Sequence, residues 1–195
     1  MAIVADLERI AGLASGYAAP GEDVAGVLAT EPVPGERTYV CAFAADGGPG
    51  RTWLALDADG RALTSRDRIR AAVSIAALCE IAAESAFGGD LDELRAQLVQ
   101  LRITESPPGI EEAEAAAAAL QRTLGAPPHV ATPERLDSIG AATRRLEAAL
   151  FDPVDGSPFS ARMRGAPAVA DELWREVEAG YRVDLEAPGS GAAGA

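Results

Sequence analysis

The acidic side chains are the first place to look for chemistry in this chain. Asp152 and Asp155 stand three residues apart in the string Phe151-Asp-Pro-Val-Asp-Gly-Ser157. Hard carboxylate oxygens at such a spacing suit Mg²⁺, which takes one or two carboxylates and keeps several waters. Glu80 and Glu84 stand four apart inside a mostly apolar run, so a helix would put both on one face. They could hold the same cation or meet Arg68, Arg70 or Arg95. Asp57-Ala-Asp-Gly60 begins like a calcium loop but lacks the downstream ligands, and a hairpin turn reads it as well. His129 is the single histidine and a candidate general base, although it follows two prolines and no nucleophile is paired with it. Arg144, Arg145, Arg162 and Arg164 form a basic cluster that could take an anion or pair with surrounding acid. All 17 basic residues are arginine, and the chain has no lysine and no asparagine. Schiff-base chemistry, a phosphate-binding loop lysine and an asparagine oxyanion donor are therefore excluded. The same absences, with abundant Ala, Gly, Arg and Pro, fit a GC-rich genome.

The string from Phe151 to Ser157 resembles the Asp-Pro-Ile/Leu-Asp-Gly-Thr/Ser motif of the inositol monophosphatase family. That resemblance implies a Mg²⁺-dependent phosphohydrolase with Asp152 and Asp155 as metal ligands. In the family the motif follows a buried strand, whereas here it follows an amphipathic run ending at Leu150. An Asp-Pro turn and an Asp-Gly turn between two helices account for the same residues without a metal. Glu111-x-x-Glu114 and Glu134-x-x-Asp137 look like the acidic pairs of the all-α nucleotide pyrophosphohydrolases, which hold Mg²⁺ between neighbouring helices. Both pairs begin helices, where the dipole already favours carboxylates. In antiparallel neighbours those ends would be about 20–25 Å apart at 1.5 Å per residue.

The elements that must position these groups follow from periodicity. Ile3, Leu7, Ile10, Leu13 and Tyr17 recur at helical spacing. A short helical turn is expected over 22–29, from Val24, Val27 and Leu28. Residues 37–45 and 51–57 alternate as strands around Asp46-Gly-Gly-Pro-Gly50, with Tyr39, Cys41 and Phe43 on one face. Residues 61–64 add a short third strand, giving a β-meander over about 37–64. A helix over 66–87 is apolar nearly all round and is expected to be buried and central. Further helices are expected at 91–103, 110–124, 133–150 and 167–180, with an irregular loop at 151–166. Residues 181–185 read as a strand or an extended tail. The expected fold class is α+β, predominantly α, with a helical bundle around one buried central helix and a small antiparallel β-meander. Residues 1–186 are expected to form a single globular domain, followed by a flexible Gly/Ala tail at 187–195.

Composition narrows the function classes. A net charge of −13 opposes the phosphate neutralisation on which sequence-independent nucleic-acid binding draws, so no nucleic-acid partner is expected. No run approaches the roughly 18 apolar residues of a membrane span. The first residues lack the basic and apolar regions of a secretory leader, so a cytoplasmic chain with two reduced structural thiols, Cys41 and Cys79, is expected. The leading functional reading is a small acidic interaction or accessory protein without its own catalytic centre or cofactor. Its partner would be another protein or a second copy, because a lone meander and Ala-rich faces suit a homodimer. The alternatives are a Mg²⁺-dependent phosphohydrolase using Asp152 and Asp155 or Glu80 and Glu84, and a small-molecule-binding regulator. In the last reading Trp53, Tyr39 and Phe43 wall a pocket between meander and central helix.

Overall fold

The computed structural model describes residues 2–45, 50–86, 90–126, 129–151 and 156–186. The order of elements is α1 (Ala2–Ser15), β1 (Glu22–Thr30), β2 (Thr38–Ala45), β3 (Arg51–Leu56), α2 (Arg66–Ser85), α3 (Leu91–Thr104), α4 (Ile110–Gly125), α5 (Pro133–Leu150), α6 (Pro158–Met163) and α7 (Ala166–Ala179). The fold is α+β and predominantly helical, with one three-stranded antiparallel sheet in the order β1-β2-β3. The chain divides into two compact units. One comprises Met1–Ala77, Pro128–Pro133 and Ala168–Ala195, and contains the sheet. The other comprises Leu78–Pro127 and Glu134–Pro167, and is helical. The Gly/Ala tail at 187–195 lies outside the described residues.

In the sheet unit, strand alternation sorts side chains onto two covered faces. Tyr39, Cys41, Phe43, Leu54 and Leu56 share one cluster with Ile10 and Ala14 of α1 and with Val130. Val40, Ala42, Trp53 and Ala55 share the other with Ile69, Ala72 and Val73 of α2 and Trp174 and Val177 of α7. The meander thus finds cover for both faces within its own unit. The expected alternation of Tyr39, Cys41 and Phe43 holds.

The segment over 22–29 is a strand and not the helical turn expected from its spacing. The cause is a β-bulge: Val24 pairs with Phe43, but Gly26 pairs with Ala42. One extra residue lets Val24 and Val27, three apart, both pack on the Tyr39 face, which imitates a helical period. The sheet therefore begins at Glu22, before the expected meander. The third strand expected at 61–64 is reduced to one bridge, Leu56 to Ala62.

Parts of both sheet edges are closed by other segments of the chain. Along β3, the Trp53 N–H donates to the Gly180 carbonyl (3.0 Å) and the Arg182 N–H donates to the Trp53 carbonyl (3.0 Å). The Ala55 N–H donates to the Tyr181 hydroxyl (2.9 Å), which in turn donates to the Leu63 carbonyl (2.9 Å). At one end of β1, Ala131 exchanges backbone bonds with Ala29 and Glu31 (2.9 Å each). Such covering removes the exposed donors and acceptors that make strand edges sticky.

One turn shows why its glycine is needed. Gly60 has φ +82°, and a Cβ there would come within 2.5 Å of Leu13 Cδ1. Asp57 Oδ1 accepts the backbone N–H groups of Asp59 and Arg61 (2.9 Å each), so Asp57 serves the turn.

The helical unit is built on small residues. Ala82, Ala86, Ala113, Ala116 and Ala117 pack with Leu91, Leu98, Ile110, Leu120, Ile139, Leu146 and Phe159. Alanine buries little area per residue, so the few large side chains supply most of the apolar burial. The loop expected at 151–166 contains the short helix α6. Ser157 caps it by accepting the Ser160 N–H (3.2 Å), and Pro158 sits at its first position. Glu147 of α5, 1% exposed, accepts the Phe159 N–H (2.7 Å) and a short bond from the Ser157 hydroxyl. A buried carboxylate with both oxygens occupied anchors α6 to α5.

Candidate functional site

Among the described residues, those singled out from sequence form no metal-binding group. Asp152 and Asp155 lie outside the described residues. Glu80 and Glu84 are both exposed on the last turns of α2. Glu114 is engaged by Arg102 (Nε to Oε2, 3.0 Å), while Glu111, Glu134 and Asp137 are exposed. Among the described residues, no group of three or more His, Cys, Asp or Glu could share a metal ion. His129 is exposed. Both cysteines are buried and neither is in a disulfide, and burial pushes the Cys41 thiol up to about 12. Trp53 points into the α2 and α7 cluster while Tyr39 and Phe43 point into the α1 cluster. These three cannot wall one pocket, because they lie on opposite faces of the sheet. Arg144, Arg145, Arg162 and Arg164 are exposed, and Arg162 donates to the Ser85 carbonyl (2.7 Å). Among the described residues none of the four is in an ion pair.

The charged groups that are engaged serve the fold. Arg182 pairs with Glu22, donates to the Tyr17 carbonyl (2.7 Å) and lies 4.0 Å from the Phe43 ring centroid. The Arg182 bond and the Ala19 N–H hold the Glu22 carboxyl below the ordinary glutamate range. The Gly35 N–H and the Arg37 guanidinium do the same for Glu31, closing the loop between β1 and β2. Burial raises the Tyr181 hydroxyl to about 12.

A concave surface lies on the α3–α4 hairpin. A groove of ≈ 390 Å³ is lined by Arg95, Val99, Glu111, Glu114, Ala115 and Ala118. The core face of α3 carries Leu91, Leu94, Leu98 and Leu101 at helical spacing. Val99 and Ile103, one turn apart, lie on a second face and are 43% and 69% exposed. Polar clamps bracket the apolar middle. At one end Gln121 donates to Asp92 (2.7 Å) and accepts a short bond from Arg95. At the other, Arg102 holds Glu114. The clamps fix the two helices while leaving Val99 and Ala115 exposed and Ala118 half-buried between them. Sequence periodicity had a signal for this groove: α3 carries two apolar rows, and only one of them fits the core.

No family model matches the chain, and no curated protein or solved structure matches it. Among the described residues no helix is long and apolar enough to cross a membrane.

Proposed function

We propose that this chain is a small acidic, cytoplasmic interaction protein that works by holding a helix on its α3–α4 hairpin, without a catalytic centre of its own. The observation that carries this reading is the groove. Two helices locked by polar clamps present Val99, Ala115 and Ala118, and Ile103 stands 69% exposed beside them. A helix laid between two helices is a common recognition mode, in which apolar anchors at turn spacing fill the groove. The Ala floor permits close approach, toward the lower end of the roughly 8–10 Å interaxial range. The net charge of −13 argues for protein rather than nucleic acid as the occupant.

The test is a displayed library of amphipathic helical peptides, selected on the folded chain and counter-selected on Ile103→Glu. Ile103 is exposed, so the substitution is expected to leave the melting temperature of the monomer, read at low protein concentration, nearly unchanged. The reading expects selected peptides whose binding falls at least tenfold on Ile103→Glu and on Val99→Glu. Peptides that bind both chains equally, or no enrichment, would contradict it.

A further inference from the structure

We infer that the helix held in this groove is α4 of a second copy, running antiparallel to the first across a twofold axis. The inference rests on the α3–α4 face being the docking face, and adds what occupies it.

One row of α4 runs along the groove. Glu111, Ala115, Ala118 and Arg122 are spaced four, three and four residues apart, so they form one stripe. Glu111, Ala115 and Ala118 all line the groove. Glu111 and Arg122 are exposed, and among the described residues neither has a hydrogen-bond or ion-pair partner. The row therefore reads acid, small, small, base. An antiparallel copy turned about a point midway between Ala115 and Ala118 puts Glu111 opposite the partner's Arg122. It also puts Ala115 opposite the partner's Ala118. The symmetry then repeats both pairs, as an isologous interface requires. The two charge pairs close a seam about 16 Å long, at 1.5 Å per residue. Alanines at the crossing allow close contact, and Val99 and Ile103 flank the seam where the second helix would cover them. A parallel arrangement fails on the same residues, because it sets Glu111 against Glu111 and Arg122 against Arg122.

The test is sedimentation of the full chain over a concentration series, with three charge variants. The wild type is expected to dimerise. Glu111→Arg and Arg122→Glu each turn both symmetry-related pairs into like-charge pairs, and each is expected to weaken the dimer roughly tenfold. The double variant Glu111→Arg/Arg122→Glu restores opposite charges across the seam and is expected to recover most of the affinity. That recovery separates the seam from helix stability, because Glu111→Arg disfavours the α4 N-terminus in the single and double variants alike. Melting curves of each variant check that the fold persists. A chain monomeric at all concentrations overturns the inference. So does a dimer indifferent to the single swaps, or one the double swap does not rescue. If the chain stays monomeric but helical peptides bind in an Ile103-dependent way, the docking face stands and the second copy is not its occupant. If neither peptides nor a second copy respond to Ile103→Glu, both readings fall.

Discussion

The sheet and the α3–α4 hairpin use the same residue types to opposite ends. In the sheet unit, Arg182 pairs with Glu22 across 160 residues of sequence, its head lying over Phe43. Residues 180–182 close β3, Ala131 closes one end of β1, and both faces of β2 and β3 are covered, while Leu28 of β1 stays 51% exposed. On the hairpin, Glu111 and Arg122 are exposed and unpaired among the described residues, and Val99 and Ile103 are 43% and 69% exposed. Paired acid and arginine shut the first region. Unpaired acid and arginine stand at the two ends of an apolar row in the second region, the face proposed above for docking. Buried anchors stabilise the unit that contains them, whereas an exposed apolar row at turn spacing gains most when something covers it.

Several substitutions can break this contrast, and the largest effects belong in the sheet. Phe43 is fully buried, so Phe43→Ala is expected to cost about 3–5 kcal/mol in denaturant unfolding. Ile103→Ala is expected to stay within about 0.5 kcal/mol of wild type in the same assay, at protein concentrations low enough to keep the chain monomeric. Equal losses at the two positions would show that the hairpin row is core after all. Next comes Tyr181→Phe, which leaves the Ala55 N–H and the Leu63 carbonyl without their hydroxyl partner. A loss of about 1–3 kcal/mol is expected, with faster amide exchange along β3.

The acid limb gives a smaller effect with a defined sign. Glu22 and Glu31 have carboxyls held below their ordinary value of 4.5. Their stabilisation is fully present above that value and is lost as pH falls through the depressed folded values. The melting temperature should therefore drop below about pH 4.5, and Glu22→Gln and Glu31→Gln should each flatten that drop. An unchanged acid limb in both variants would remove these carboxylates from the account. The least perturbing probe is Cys41, whose thiol is raised to about 12 by burial. It should resist alkylation at pH near 8 until the sheet unfolds. Rapid labelling of the native chain would show that the sheet unit is not closed.

Much of the helical framework was legible because burial imposes a period on the sequence. Strands β2 and β3 could be read from the alternation of Tyr39, Cys41 and Phe43, and α5 from Leu136, Ile139 and Leu146. Strand β1 escaped because its bulge placed Val24 and Val27 on one face at a helical interval. Helix α6 escaped because part of its anchor, Glu147, comes from a different helix, and local pattern cannot show a carboxylate reaching ten residues ahead. The candidate sites fared worse than the fold. Acidic pairs such as Glu111 and Glu114 announce themselves by spacing, yet only the folded hairpin shows Glu114 committed to Arg102 and Glu111 free. The groove was encoded as a second apolar row on α3, but Val99 and Ile103 gain meaning only when α4 lies beside them.

The most direct measurement is residue-resolved amide exchange of the full chain at rising protein concentration. Exchange is predicted to slow along Leu91–Thr104 and Ile110–Gly125 as copies associate, while Thr38–Ala45 and Arg51–Leu56 stay unchanged. Exchange independent of concentration throughout, or slowing confined to the sheet, would contradict the account.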